Sequence, residues 1–296
     1  MSPNSQFEIR NSKSLFLMRQ HYSWVLPRIT IELGLRTAVM GILNVTPDSF
    51  SDGGQYFDRA GAIDRGKEVE QEGADILDIG GESTRPGSEP VSEEEETRRV
   101  IPVIEALARL LKTPISIDTY RASVARRALD AGAQIVNDIS GLRFDRDMAS
   151  VVEGAAAGVV LMHSRGSRET LHRQTRMQNA VEEVLHGLAA SVEKARGRGV
   201  SAKAIVIDPG IGFGKDAAES LILLKRLSEF SKLGYPLLAG TSRKSFIRFL
   251  TKDAPEARSW GTAATVVAAI INGAHIVRVH DVRQALVLAD VTDEIL

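Results

Sequence analysis

The feature that most constrains the fold is a recurring unit in which a helical stretch ends on glycine and gives way to an apolar burst. It occurs as Glu72-Gly-Ala-Asp-Ile-Leu, Ala131-Gly-Ala-Gln-Ile-Val, Ala157-Gly-Val-Val-Leu-Met and Asn272-Gly-Ala-His-Ile-Val. Glycine just past a helix end takes the left-handed cap conformation at little cost. The β-branched run that follows reads as a buried strand of a parallel sheet covered by helices. Eight strand candidates result: 38–43, 76–79, 115–118, 135–138, 159–163, 205–208, 236–239 and 276–280. Amphipathic stretches lie between them. The clearest opens at Ser92 with Glu95 three residues on, a capping box, and continues through Val100, Ile101, Ile104, Leu107 and Leu111. Pro102 inside it predicts a kink or a late start. Eight βα units in about 260 residues match one (β/α)8 TIM barrel, with an open doubly wound sheet as the structural alternative.

No glycine-rich linker divides the chain, so residues 37–296 are expected to form a single barrel domain. Residues 1–36 are expected as an N-terminal extension, a short hairpin or partly disordered. The opening residues are polar and lack the apolar centre of a secretory signal, and no apolar run reaches membrane-spanning length. With a net charge of -1, the chain has no global basic field for nucleic acid or an anionic membrane. It contains no cysteine, which excludes disulfides, thiolate metal sites and cysteine nucleophiles.

In a barrel of this kind the chemistry sits at the carboxyl ends of the strands, and there the chain is unusually polar. The ends carry Asn44, the run Gly-Gly-Glu-Ser-Thr-Arg-Pro-Gly at 80–87, Asp118, Asn137 with Asp138, His163, Asp208, Ser242-Arg-Lys-Ser, and Arg278 with His280 and Asp281. Any one alone reads more plainly as a helix cap, a turn residue, a structural histidine or a buried ion-pair member. Together they converge on one mouth, where burying them without a ligand is costly unless all are paired. Asp118, Asn137 and Asp208 could accept hydrogen bonds from a flat heterocycle with a guanidine-like N–H edge. Lys244, Arg278 and His280, from strands seven and eight, stand where barrels commonly bind phosphate, and Arg85 could add a cation. Asn44 is a hard oxygen donor suited to Mg2+ bridged to a diphosphate. The run Gly-Ile-Gly-Phe-Gly-Lys at 210–215 is followed by Asp216 and has the wrong spacing for a P-loop, so it reads as a glycine-rich turn. With no nucleophile elbow and no His-Glu-x-x-His motif, catalysis is expected to run by positioning and electrostatics.

From about residue 38 to its end, the chain resembles the dihydropteroate synthase family. The resemblance rests on Met40-Gly-Ile-Leu-Asn-Val-Thr-Pro-Asp-Ser-Phe-Ser-Asp-Gly-Gly, Asp78-Ile-Gly-Gly-Glu-Ser-Thr-Arg-Pro-Gly, Asp208-Pro-Gly-Ile-Gly-Phe-Gly-Lys, Ser242-Arg-Lys-Ser and Val277-Arg-Val-His-Asp. It implies condensation of a pterin diphosphate with p-aminobenzoate in folate synthesis. It also implies a pterin pocket of Asp118, Asn137, Met162, Asp208, Gly212, Phe213 and Lys244. Asn44, Arg85, Arg278 and His280 would hold the diphosphate, with Asn44 touching Mg2+. Phe50, Thr84, Arg85, Pro86, Phe213 and Ser245 would form the p-aminobenzoate pocket, and Asp52 would help close loop one. Asp118, Lys244, Arg85 and Asp52 are the implied catalytic group. The implied course resembles SN1 substitution, with diphosphate leaving before the arylamine attacks. A cytoplasmic homodimer and a sulfonamide target are what the family suggests.

Two rivals share the acceptor set. A methyltetrahydrofolate–corrinoid methyltransferase has no need of Thr84-Arg85-Pro86 or of Ser-Arg-Lys-Ser. A silent pterin-binding paralogue is opposed by intact Arg85, Lys244, Arg278 and His280. The basic segment Ser164-Arg-Gly-Ser-Arg-Glu departs from the family pattern and is read as a solvated loop.

Overall fold

A computed structural model describes residues 19–46, 59–83, 88, 90–171, 174–251 and 255–296. The strands are β1 (Tyr22–Val25), β2 (Thr30–Leu33), β3 (Ala38–Asn44), β4 (Ile76–Gly80), β5 (Ile115–Asp118), β6 (Ile135–Asp138), β7 (Gly158–Met162), β8 (Ile205–Asp208), β9 (Leu238–Ala239) and β10 (Ile276–Val279). The described helices are α1 (Arg59–Gln71), α2 (Glu93–Leu110), α3 (Ala122–Asp130), α4 (Met148–Gly154), α5 (Ala180–Gly197), α6 (Ala217–Lys225), α7 (Ser245–Leu250), α8 (Pro255–Ile271) and α9 (Val282–Ile295). Eight strands form one sheet in the order β8-β7-β6-β5-β4-β3-β10-β9, every neighbouring pair parallel. A parallel bridge between Ile207 and Leu237 joins its two ends, and the Ile207 N–H donates to Pro236 O at 3.0 Å. The architecture is the TIM barrel read from the sequence, not the open sheet.

Strand residues alternate between two apolar clusters, as a period of two requires. Val39, Leu77, Ile79, Ile117, Val136, Val159, Leu161, Ile207 and Val277 join the helix-facing core. Met40, Ile76, Ile135, Val160, Val206, Leu238 and Ile276 form the second cluster, inside the barrel. Counting on by twos from these interior positions gives Asn44, Asp78, Asn137, Met162, Asp208, Arg278 and His280, and on β5 Asp118 alternates with the helix-facing Ile115 and Ile117. The polar mouth therefore continues an apolar interior stack.

The β1–β2 hairpin is antiparallel, with Tyr22 opposite Leu33 and Val25 opposite Thr30. Trp24, Leu26 and Leu33 belong to the interior cluster, so the hairpin plugs the amino-terminal end of the barrel. Trp24 Nε1 donates to Ala204 O at 2.9 Å, which satisfies the buried indole N–H.

Gly73, Gly132 and Gly273 take the left-handed cap conformation expected of them, with φ of 101°, 115° and 95°. Gly158 does not. Ala156 carries the positive φ of that turn, 48°, and Gly158 opens β7. A Cβ on Gly158 would lie 2.4 Å from Leu26 Cδ2 and 3.2 Å from the Trp24 ring. That glycine makes room for the hairpin and does not end a helix. Helix α2 runs through Pro102 from Glu93 and does not start late. Ser92 Oγ accepts from the Glu95 N–H at 3.2 Å, while the Glu95 carboxylate pairs with Arg98 and Arg99, so only half of the expected box forms. A complete capping box, Asp216 with Glu219, starts α6.

Candidate active site

The centre of the mouth is an ionic cluster contributed by four strands. Arg278 on β10 donates from Nε to Asp78 Oδ2 at 2.6 Å and from Nη2 to Asp118 Oδ2 at 2.7 Å. Asn137 Nδ2 donates to the same Asp78 oxygen at 3.1 Å. Asp78 is fully buried, and its second oxygen, Oδ1, is buried with no hydrogen-bond partner. Burial pushes the Asp118 carboxyl up to about 7. The Asp78 and Glu96 charges add to that rise, and Arg278 and Lys244 oppose it. For Arg278, burial works against the charge but the two carboxylates outweigh it, so the guanidinium is held above its ordinary value.

Asp208, at the end of β8, forms the second acceptor. It receives the Gly210 N–H at 2.7 Å, and burial raises its pKa against the pull of that bond and of Lys244 and Lys215. The glycine-rich turn after it is held by Lys215. This ammonium donates to three carbonyls, His163 O at 3.0 Å and Gly210 O and Phe213 O at 2.9 Å. Burial pushes it down to about 7. The turn presents Phe213 to Lys244, whose Nζ lies 3.5 Å from the ring centroid, a cation–π contact. Gly212 has φ of 80°, and a Cβ there would lie 3.2 Å from Lys244 Cδ, so glycine suits both the conformation and the close approach.

The remaining expected residues are distributed as follows. Met162 is buried and in register with Asp208. Asn44 ends β3, half-buried, in register with Gly80. His280 Nδ1 lies 3.0 Å from Ser242 Oγ. Ser245 is the exposed first residue of α7. Phe50, Asp52, Thr84, Arg85 and Pro86 lie outside the described residues. Asp118, Asn137 and Arg278 thus meet at one cluster, with Asp208 near enough to feel the charges of Arg278 and Lys244, and Gly212 and Phe213 packed on Lys244. Arg278, expected at the diphosphate, pairs with Asp78 and Asp118.

Other strand-end residues follow the plain reading. Asp138 faces away from the interior set and accepts from the Ser140 and Leu142 N–H groups at 2.8 and 2.7 Å, fixing a turn. His163 packs against Gly187 of α5, its Nδ1 buried without a partner, and burial pushes its pKa down to about 2. The solvated-loop reading holds for Gly166, Ser167 and Glu169, which are exposed, but not for the two ends of the basic stretch. Ser164 is buried, and the Arg168 side chain, 11% exposed, pairs with Glu82 at 2.7 Å. Two residues of the cluster escaped the sequence reading. Asp78 lies inside a strand and not at its end; the available signal was a lone acidic residue in an otherwise apolar run, two positions past Ile76. Lys215, which holds the turn beside the cluster, has as its sequence signal only its place at the end of the glycine-rich run.

An eight-stranded barrel with buried carboxylates and an amide at one side of its mouth and cations beside them is a site for a flat heterocycle rich in N–H donors. The model of the pterin-binding enzymes matches residues 40–280. The dihydropteroate synthase of Synechocystis is 50% identical over 261 residues, covering 88% of this chain and 90% of that protein. Of solved structures, the dihydropteroate synthase of Clostridium difficile, determined in the presence of pteroic acid, superposes with a TM-score of 0.83 at 48% identity, covering 89% of this chain and 98% of that one. That of Xanthomonas albilineans with 4-aminobenzoic acid gives 0.85 at 42% identity, covering 92% and 98%. The chain belongs to the pterin-binding enzyme family, and within it to the dihydropteroate synthases, which are transferases.

Proposed function

We propose that the chain condenses 6-hydroxymethyl-7,8-dihydropterin diphosphate with p-aminobenzoate, giving 7,8-dihydropteroate and diphosphate in folate biosynthesis. The observation that carries this reading is the buried Asp78–Arg278–Asp118 cluster with Asn137 and Asp208 around it. A solvent-poor set of acceptors of this kind matches the aminopyrimidinone edge of a pterin. The relatives supply the second substrate, and they favour the synthase over the corrinoid methyltransferase.

In this reading Asp118, Asn137 and Asp208 hold the pterin ring. Met162, Gly212 and Phe213 line its pocket, and Lys244 sits at the ring edge. Carbon–oxygen cleavage releases diphosphate and leaves positive charge on the pterin methylene. The Asp118 carboxylate, once ionised, stabilises that charge. The arylamine nitrogen then attacks the methylene and loses a proton. Asn44, Arg85, Arg278 and His280 receive the diphosphate. For Arg278 this requires the guanidinium to share itself between its carboxylates and the ligand. Phe50, Thr84, Arg85, Pro86, Phe213 and Ser245 enclose the p-aminobenzoate, and Asp52 helps to close loop one.

Magnesium fits the donor set as a cation that arrives with the diphosphate. Asn44 offers one amide oxygen at the mouth, and Mg2+, which keeps several waters and takes substrate phosphate oxygens, would be held there chiefly by the diphosphate. Bound there, it would neutralise charge on the leaving group.

A homodimer in the cytoplasm completes the reading. Phe249 on α7, Trp260 on α8 and Val287, Val291 and Ile295 on α9 are exposed apolar residues on three consecutive helices that a second copy could cover. Among the described residues no helix is long and apolar enough to cross a membrane.

The test is direct. Purified protein given the pterin diphosphate, p-aminobenzoate and Mg2+ is expected to release diphosphate and form dihydropteroate. Failure to form dihydropteroate from the two substrates overturns the assignment.

A further inference from the structure

Asp78 lies on β4 and Asn137 on β6, with β5 between them. Their side chains meet because both strands turn these positions inward, two residues past Ile76 and Ile135 of the interior cluster. The β5 residue in register with Asp78 is Ser116, fully buried and small enough to leave room for the contact. Across that gap Asn137 Nδ2 donates to Asp78 Oδ2 at 3.1 Å. The same oxygen receives Arg278 Nε at 2.6 Å from β10, which lies on the other side of β3.

The chemistry of this contact fixes the Asn137 amide. The two ends of an asparagine side chain are nearly equal in shape and opposite in polarity. A carboxylate paired with a guanidinium has no proton to give, so only the amide nitrogen can face it. Turning the amide over would set Asn137 Oδ1 against Asp78 Oδ2, two acceptors at close range. Water has little room to relieve that conflict, since Asn137 is 4% exposed and Asp78 is fully buried. Held this way, the amide points its oxygen away from Asp78, and among the described residues nothing donates to that oxygen. Asp78 Oδ1 takes no part, since it is buried without a partner.

We propose that Asp78 is a positioning residue for the pterin: by gripping the Asn137 amide nitrogen, it turns the amide oxygen towards the ring and makes Asn137 an acceptor for one of the ring N–H groups. Without that grip the amide is free to present its nitrogen instead, a donor facing a donor. This rests on the function proposed above and goes beyond it, because Asp78 acts through Asn137 and needs no contact with the ligand. The unpaired Oδ1 allows geometry to be separated from charge. In Asp78→Asn the side-chain oxygen takes the place of Oδ2, because two donors, Asn137 Nδ2 and Arg278 Nε, point at that place. The new amide nitrogen falls where Oδ1 was, and no hydrogen bond is lost there. In Asp78→Leu the acceptor is gone.

The experiment is calorimetric titration of the full-length protein with 6-hydroxymethyl-7,8-dihydropterin. This probe lacks the diphosphate and so leaves anion binding by Arg278 out of the reading. At about pH 8 the Asp118 carboxyl, which burial raises to about 7, is mostly ionised, so its protonation does not distinguish the variants. Asp78→Leu is expected to weaken ring binding about tenfold or more, and Asp78→Asn to recover most of that loss. In an Asn137→Ala background, Asp78→Leu should change ring affinity less than about twofold, since a residue that acts through Asn137 has nothing left to position. Equal losses in Asp78→Asn and Asp78→Leu, unchanged affinity in Asp78→Leu, or the same loss with and without Asn137 overturns the proposal. If Asp78→Leu does not fold, Asp78→Ala is read in its place, with the same outcomes deciding. Wild-type protein that binds no pterin refutes the functional reading instead, so the two failures are told apart.

Discussion

Replacing Arg278 with methionine offers a sharp test of the central cluster. The side chain keeps its approximate volume but loses the guanidinium, leaving Asp78 Oδ2 with only Asn137 and Asp118 Oδ2 without its cation. Breaking a buried pair from one side typically costs about 3–5 kcal/mol, because a charge remains without compensation. A stranded carboxylate can escape by taking up a proton, and this caps the loss. At pH 7, protonating an acid of ordinary pKa near 3.8 costs about 1.4 kcal/mol for each of about three pK units, roughly 4 kcal/mol. The cap falls by about 1.4 kcal/mol for every pH unit removed. The variant should thus melt about 5–7 °C below wild type at pH 7, and close much of that gap by pH 5. Differential scanning calorimetry of both proteins at pH 5, 6 and 7 measures this. Adding Asp78→Asn to the variant should recover stability at pH 7, since it removes one stranded charge. An undiminished gap at pH 5, or a variant as stable as wild type at pH 7, refutes the account of the cluster as a charge-compensated unit.

Three further outcomes follow from the same geometry. Because burial raises the Asp118 carboxyl to about 7, the folded chain holds a proton there that the unfolded chain has released. That contribution to stability is complete below pH 4 and is lost as pH rises towards about 7. A pterin presenting N–H donors favours the ionised carboxyl, so its binding near pH 6 should release a proton; calorimetric enthalpies that do not vary with buffer ionisation heat count against this. Trp24→Ala removes a fully buried indole and its bond to Ala204. It should cost about 3–5 kcal/mol in chemical denaturation while substrate KM values hold, since the hairpin lies at the end of the barrel opposite the mouth. Lys215→Met frees three carbonyls that fix the turn between Asp208 and Phe213. Pterin affinity should fall at least about tenfold with p-aminobenzoate KM less affected, and a variant with wild-type pterin affinity removes Lys215 from that role.

Much of the site was legible because a parallel strand encodes its facing in a period of two. Ile276, Arg278 and His280 share a parity, as do Ile135 with Asn137 and Val206 with Asp208. Once the strands were placed, the polar mouth was placed with them. The glycine units at Gly73, Gly132 and Gly273 marked the starts of β4, β6 and β10, because a side chain is disfavoured at a left-handed cap.

What the chain alone left open were pairings between residues far apart in sequence. Gly158 looked like a helix terminator, yet Ala156 accepts the positive φ, and the glycine is required by Trp24 and Leu26 from the other end of the chain. Arg168 looked solvated, yet it is drawn in by a carboxylate 86 positions earlier. Arg278 read as an anion ligand, yet it lies between two carboxylates that only barrel closure brings within reach. Local sequence determined conformation and facing, because those depend on φ, ψ and neighbouring side chains. Which charge meets which was decided by the tertiary structure, because ion pairing depends on distances across the barrel that no local pattern encodes.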